Sequence, residues 1–407
     1  MLKFKKKILY FTQFLLLGFM SGIPYFWISL TLPLCIANQA KQAEYFKGLS
    51  ILFLPYVFKP LFAAVLHILE KLLIRHHFIK YSVLSAQAVI VFCLYQSAQY
   101  TNPFQFEKLW MFGIIIACFG AIQDIVSEGY RIEISKTCSF SVRNLFGNQT
   151  GFRIAGFFVS SGALGIAHYG SWKISSYVIM IGLMISMIVI MMDPLFSVSF
   201  STKDLKLQSY WCALKDEFKD MFFQNRIPFW VFIHLFSYKV IDAFIRWILP
   251  LFLYSQGYSN IELMYADKGM GWIGFLLGGF FAHKSLQYAS LKQSLLGWGI
   301  VQTVGYSTYL LQWNTGKHMG LIFFNAFIHQ ILSGSGNILI WIYISNYCRS
   351  SHTMMRYSII SAYFTLDRLC VVWCASWLYG NTNPGLFFVL GILFSACSVL
   401  TFLYPKK

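Results

Sequence analysis

Along the whole chain, long apolar runs alternate with short segments rich in Lys, Arg, Asn, Pro and Gly. The runs fall at 8–35, 46–67, 81–98, 109–128, 148–168, 173–192, 228–254, 262–282, 291–311, 319–346, 355–379 and 385–404. Each is long enough to cross a hydrocarbon layer of about 30 Å as a helix. The pattern predicts an all-α polytopic membrane protein with about twelve transmembrane helices. The longest polar stretch, 193–225, carries Asp204, Lys206, Lys215, Asp216, Glu217, Lys219 and Asp220 and separates six runs from six. It divides the chain into an N-terminal six-helix bundle over 1–192, a cytoplasmic linker over 193–227 and a C-terminal six-helix bundle over 228–407. The charges from Lys215 to Asp220 are spaced for a short amphipathic helix lying along the membrane surface.

Composition agrees with this picture and removes other classes. Of the 407 residues 57% are hydrophobic and 12% charged, where a soluble domain carries about 25% charge. That excludes a soluble enzyme. Aromatic residues at 19% suit lipid-facing surfaces and interfacial belts. A net charge of +17 raises the possibility of nucleic-acid binding, but the Lys and Arg lie almost entirely between the apolar runs, so no nucleic-acid partner is expected. Of the 32, 21 fall on one set of loops, helix ends and termini, five on the opposite set (Lys41, Lys47, Lys108, Lys173 and Lys317), and six are intramembrane: Lys59, Arg153, Lys239, Arg246, Lys268 and Arg368. This bias places both termini in the cytoplasm. The nine Cys form no CxxC pair, and Cys93, Cys118 and Cys397 lie inside apolar runs, so buried thiols without structural disulfides are expected. The basic start Lys3–Lys7 is read as the head of the first span, since no cleavage site follows it. Two six-helix bundles around one cytoplasmic linker are the arrangement of a major facilitator fold, with substrate bound near the midplane.

A charged side chain at a helix centre costs about 2.5–3.5 kcal/mol on insertion scales, so each one inside a run needs a partner or a watery cavity. In the first half these are Lys59, Asp124, Glu128 and Arg153. Asp124 and Glu128 are four apart and share one helix face, with Gln123 beside them and Arg131 a turn further toward the cytoplasm. Two shielded carboxylates are what a carrier needs to take up and release protons, and equally what an ion-pair network needs to lock helices. The second half holds Lys239, Asp242, Arg246, Asp267, Lys268, Asp367 and Arg368. Asp242 is spaced to pair within its own helix, with Lys239 or Arg246. The slight excess of bases favours a solute bearing carboxylates or phosphates. His234 and His329 are candidates for a proton relay or for hydrogen-bonded packing. Gly271, Gly274, Gly278 and Gly279 allow close helix packing. Ser333-Gly334-Ser335-Gly336-Asn337 either unwinds a cavity-lining helix or packs it tightly. No metal-ligand cluster and no nucleophile–base constellation stands out, so neither enzyme activity, a metal nor a cofactor is expected.

The charges sit in recurring surroundings: Gly18-Phe19-Met20-Ser21-Gly22-Ile23-Pro24, Tyr56-Val57-Phe58-Lys59, Gln123-Asp124-Ile125-Val126 continuing to Glu128, Gly151-Phe152-Arg153, Tyr238-Lys239-Val240-Ile241-Asp242-Ala243-Phe244, and Lys268 followed by Gly271. Over nearly the whole chain these resemble the AmpG family of muropeptide permeases, within the major facilitator superfamily. The resemblance implies proton-driven import of anhydromuropeptides, the disaccharide and peptide fragments of cell-wall turnover, across the bacterial inner membrane. It differs from the family pattern at His67 and Ile68, where an acidic and a basic residue are usual, and at Glu128 and Glu133, where Asp is usual. Taken with the charges, the resemblance implies proton coupling at Asp124, Glu128 and Asp242. Substrate contacts are then expected at Lys59, Gln123, Arg153, Lys239, Lys268 and Arg368. The expected partners are a small-molecule solute, protons and the lipid bilayer, with the protein a monomer. Rival readings are an importer of another anionic or amphipathic solute, such as a peptide, sugar phosphate or host metabolite, and a membrane sensor or scaffold. The short central linker offers a sensor little soluble domain.

Overall fold

The computed structural model describes residues 2–32, 51–72, 78–100, 106–137, 141–192, 219, 270–348 and 353–401, and between 234 and 266 residues 234, 236–238, 240, 242, 245, 248–249, 252–253, 255–258, 262 and 265–266. Among them the regular elements are helical. We number them α1 (Leu2–Phe26), α2 (Lys59–Leu72), α3 (Phe78–Ser97), α4 (Phe106–Thr137), α5 (Ser141–Phe157), α6 (Ala163–Tyr169), α7 (Trp172–Met192), α8 (Gly271–Tyr288), α9 (Leu291–Tyr306), α10 (Thr308–Thr315), α11 (Met319–Tyr347), α12 (Thr353–Asn381) and α13 (Pro384–Thr401). Six of the described segments are long and apolar enough to cross a membrane: Tyr10–Ser29, Phe78–Ser97, Glu107–Ile134, Asn144–Ala167, Trp172–Met192 and Met319–Tyr347. The outward side of α7 exposes Ile181, Ile185, Ile188 and Met192. In water such a row would be an unprotected apolar patch; in lipid it is the face that meets the solvent.

The chain divides into two units, Met1–Lys219 with Ser345–Thr365, and Asp220–Ile344 with Leu366–Lys407. In the first, α1 lies along α5 because glycines remove the side chains between them. A Cβ at Gly18 would collide with the Asn148 carbonyl, and one at Gly151 with the Leu15 carbonyl. Phe14, Leu17 and Met20 of α1 then reach a core shared with Val83 of α3, Ile125, Val126 and Tyr130 of α4, and Ile190 of α7. Two π-helical stretches, Trp27–Thr31 after α1 and Phe158–Gly162 after α5, face each other. Wider turns leave carbonyls unsatisfied by the helix, and the Thr31 hydroxyl donates to the Val159 carbonyl at 2.7 Å.

The second unit repeats the glycine device. A Cβ at Gly278 of α8 would collide with the Ile331 carbonyl of α11, and one at Gly334 of α11 with the Phe275 carbonyl of α8. The Ser333–Asn337 stretch is therefore regular helix in tight packing, not an unwound segment. The core here joins Ile245, Phe252 and Leu253 to Tyr306, Tyr309, Ala326 and Phe388.

Candidate functional site

Proline sets the position of the first cation. Pro60 has no N–H to give the preceding turn, so the helical residues 51–57 end at Phe58 and α2 starts anew at Lys59. Lys59 is 4% exposed, and its Nζ lies 2.5 Å from Asp124 Oδ2 on α4. The same carboxylate oxygen accepts a hydrogen bond from the Tyr357 hydroxyl at 3.0 Å. The rings of Tyr56 and Tyr357 flank the ammonium, with centroids at 5.1 and 5.5 Å, a spacing at which ring faces attract a cation. Tyr56 fits there because Gly120 of α4 leaves room for its hydroxyl.

One helical turn along α4, Glu128 is buried with a different set of partners. Arg131, three residues on, donates through Nε at 2.8 Å and stands with Nη2 at 2.7 Å from the same oxygen, Oε2. The other oxygen, Oε1, accepts from the Asn148 amide of α5. Arg131 Nη2 also donates to the Ser345 hydroxyl at 3.0 Å, and Thr353 donates to Glu133 Oε2 at 3.3 Å. The two carboxylates thus have separate partners, and the end of α11 and start of α12 contribute three hydrogen bonds to the α4 network.

Several expectations take a sharper form here. Asp124 and Glu128 do share a stretch of α4, but each has its own cation. Arg131 was counted among the loop cations; α4 continues to Thr137, and Arg131 is 1% exposed. Arg356 of α12 is also buried. Arg153 on α5 is half-buried, and the partners given above for Glu128 are Arg131 and Asn148. Gln123 is fully buried, and neither atom of its amide has a hydrogen-bond partner among the described residues. An amide left so inside a protein is costly unless a ligand or water meets it.

In the second unit Asp242 is buried, and α11 brings it two polar neighbours. His329 Nε2 stands 3.2 Å from Oδ1, and the Ser333 hydroxyl donates to Oδ2 at 3.2 Å. Lys239, Arg246, Asp267 and Lys268 lie outside the described residues, as do the side chains of Asp367 and Arg368 and the 193–227 linker apart from Lys219. Intrahelical pairing of Asp242 with Lys239 or Arg246 therefore falls outside them too. Sequence reasoning missed Tyr357 and Asn148 as partners, and it left His329 without one. The only signal for them was the polar residue in an apolar run, which carries no information about its mate. Among the described residues no group of His, Cys, Asp and Glu is placed to hold a metal.

No protein-family model matches this chain. In sequence it is similar to AmpG 3 of Rickettsia typhi, a protein named as a transporter, at 23% identity over 98% of this chain and 97% of that one. It is also similar to the anhydromuropeptide permease of Escherichia coli, at 22% identity over 93% of this chain and 76% of the permease. In structure it is similar to a mutant of the nucleoside transporter NupG, with a TM-score of 0.64 at 12% identity, covering 97% of this chain and 99% of that one. The fold is that of a major facilitator protein. These likenesses, with the long apolar helices, are those of a multi-pass membrane transporter, and the sequence relatives carry the names of transporters and permeases.

Proposed function

We propose that this transporter imports anhydromuropeptides together with protons, by alternating access, across a bacterial inner membrane with both its termini in the cytoplasm. The observation that carries the reading is the buried Lys59–Asp124–Tyr357 contact, in a chain similar over most of its length to an anhydromuropeptide permease. Lys59 is already neutralised by Asp124, so it has no attraction to spare for an anionic solute while Asp124 is ionised. A proton on Asp124 removes that partner and leaves the ammonium, flanked by Tyr56 and Tyr357, to meet a solute carboxylate. Proton and anion then bind together, because each relieves the cost of the other. Gln123, with an unsatisfied amide next to Asp124, supplies hydrogen bonds to the same solute, and Arg153, Lys239, Lys268 and Arg368 supply further positive charge. Glu128, held by Arg131 and Asn148, and Asp242 are the other carboxylates through which protons pass.

The test is uptake of labelled anhydromuropeptide into bacteria that lack their own permease and express this chain, with and without an uncoupler. Uncoupler-sensitive uptake is expected. In Asp124→Asn, accumulation driven by a pH gradient is expected to fall by at least about tenfold, a change of about 1.4 kcal/mol in driving force, while exchange of solute across the membrane without a gradient persists. No uptake by correctly inserted protein overturns the substrate, and uptake indifferent to the uncoupler overturns the coupling.

A further inference from the structure

On α4 the carboxylates Asp124 and Glu128 are paired with Lys59 and Arg131, while the neutral polar residues beside them are not paired at all. Gln123 and Ser127 each stand one position before a carboxylate and four residues apart. Arg131 follows Ser127 at the same interval, so the three share one helix face. They are 0%, 3% and 1% exposed. Both atoms of the Gln123 amide and the Ser127 hydroxyl are without a hydrogen-bond partner among the described residues. Arg131 directs Nε to Glu128 and Nη2 to Glu128 and Ser345, and its Nη1 has no partner among them.

The row continues at both ends. Toward Lys59, the buried Tyr56 hydroxyl packs against Gly120, three residues before Gln123, and also lacks a partner among the described residues. At the other end Tyr130, three residues after Ser127, accepts from Gln13 Nε2 of α1 at 3.1 Å. The second atom of that amide, Gln13 Oε1, is buried and unpartnered among the described residues. From Gln123 to Arg131 the row runs about 12 Å along the helix.

A buried amide or hydroxyl that meets nothing destabilises the fold, and several on one face are relieved only by a partner from outside the chain. The atoms themselves define that partner. Gln123 Nε2, the Ser127 hydroxyl and Arg131 Nη1 donate, whereas Gln123 Oε1, Ser127 Oγ and Gln13 Oε1 accept. Glu128 balances the charge of Arg131, so the row has no net charge to offer. Hydroxyls and amides, which both donate and accept, match such a row; a carboxylate only accepts and does not.

We propose that this face of α4 binds the uncharged, hydroxyl- and amide-bearing part of the solute, next to the carboxylate that Lys59 meets. The inference rests on reading the chain as a carrier, and it extends the contact at Gln123 to Ser127, Gln13 and Arg131 Nη1.

The experiment uses the purified full chain in lipid nanodiscs and takes two readings. One is calorimetric titration with N,N′-diacetylchitobiose, a disaccharide with hydroxyls, two amides and no charge; the other is the thermal midpoint without ligand. Ser127→Ala and Gln123→Leu are each expected to weaken probe binding about fivefold or more, the effect of one lost hydrogen bond. Their ligand-free midpoints are expected to stay or rise, because a polar atom without a partner has been removed. Ser97→Ala is the control, a buried serine whose hydroxyl already donates to the Leu94 carbonyl at 2.8 Å; probe binding is expected to be unchanged. Absence of probe binding by the wild type overturns the proposal, as do row variants that bind like the wild type or a loss of the same size in Ser97→Ala. Midpoints lowered in both row variants mean that the row holds the fold together through water, and overturn it too. If Gln123→Leu does not fold, the smaller change Ser127→Ala gives both readings. Neither reading uses a muropeptide or a proton gradient, so absence of muropeptide uptake leaves this result standing, and failure here leaves uptake untouched.

Discussion

In the first unit Asp124 and Glu128 each meet a Lys or an Arg, Lys59 and Arg131, whereas in the second unit the side chain beside Asp242 on α11 is an imidazole, that of His329. The packing around the two sites is built alike, with reciprocal glycines bringing α1 against α5 in one unit and α8 against α11 in the other. The contrast therefore lies in the charges and not in the scaffold. A Lys or Arg neutralises its carboxylate whatever the pH, so protonating that carboxylate releases a cation for something else. A His neutralises a carboxylate only after a proton arrives.

The comparison can be broken at several levels. The largest effect is expected from Gly151→Leu, whose side chain runs into the Leu15 backbone carbonyl, which cannot move aside. No folded protein is expected in size-exclusion chromatography, and Gly278→Leu should do the same to the second unit. Next comes Arg131→Met, which strands Glu128 in a site where the carboxylate is 6% exposed. A loss of about 3–5 kcal/mol is expected in thermal unfolding, most of it recovered by adding Glu128→Gln. If the second change recovers nothing, Arg131 serves some other group.

Smaller effects sharpen the contrast. Tyr357→Phe removes one hydrogen bond to a charged acceptor and is expected to cost about 1.5–3 kcal/mol. It should also alter the pH profile of uptake, which a purely structural role leaves alone. Asp242→Asn is expected to cost least, because the amide oxygen can keep the Ser333 hydrogen bond. A loss there as large as that of Arg131→Met would mean that Asp242 also stands against a permanent cation, and the distinction between the units would fall.

The apolar runs were enough to place the helices, because a backbone in lipid must satisfy its own hydrogen bonds and a run of sufficient length has one way to do so. The described helices follow the expected runs closely at Phe78–Ser97 and Trp172–Met192, and run past them where α4 extends through Arg131 to Thr137. That extension is also where charge counting misjudged a residue: Arg131 belongs to a helix interior, held there by Glu128 one turn earlier. The spacing of Asp124, Glu128 and Arg131 was legible because residues three and four apart share a helix face.

Pairings across helices were not legible. Lys59 and Asp124 are 65 positions apart, Asn148 and Glu128 are 20, and Tyr357 and Asp124 are 233. Sequence supplied the intramembrane charges and hence the need for partners, but a charge states only the sign it needs and not the residue that brings it. The glycines gave the same partial information, announcing close packing at Gly18, Gly151 and Gly278 without naming the carbonyl each would meet. The sequence by itself determined a helical membrane protein with costly buried charges, since solvent and backbone dictate that much. Which carboxylate met a Lys, an Arg or a His was decided by the tertiary structure, since partner choice depends on where distant helices bring their side chains within about 3 Å.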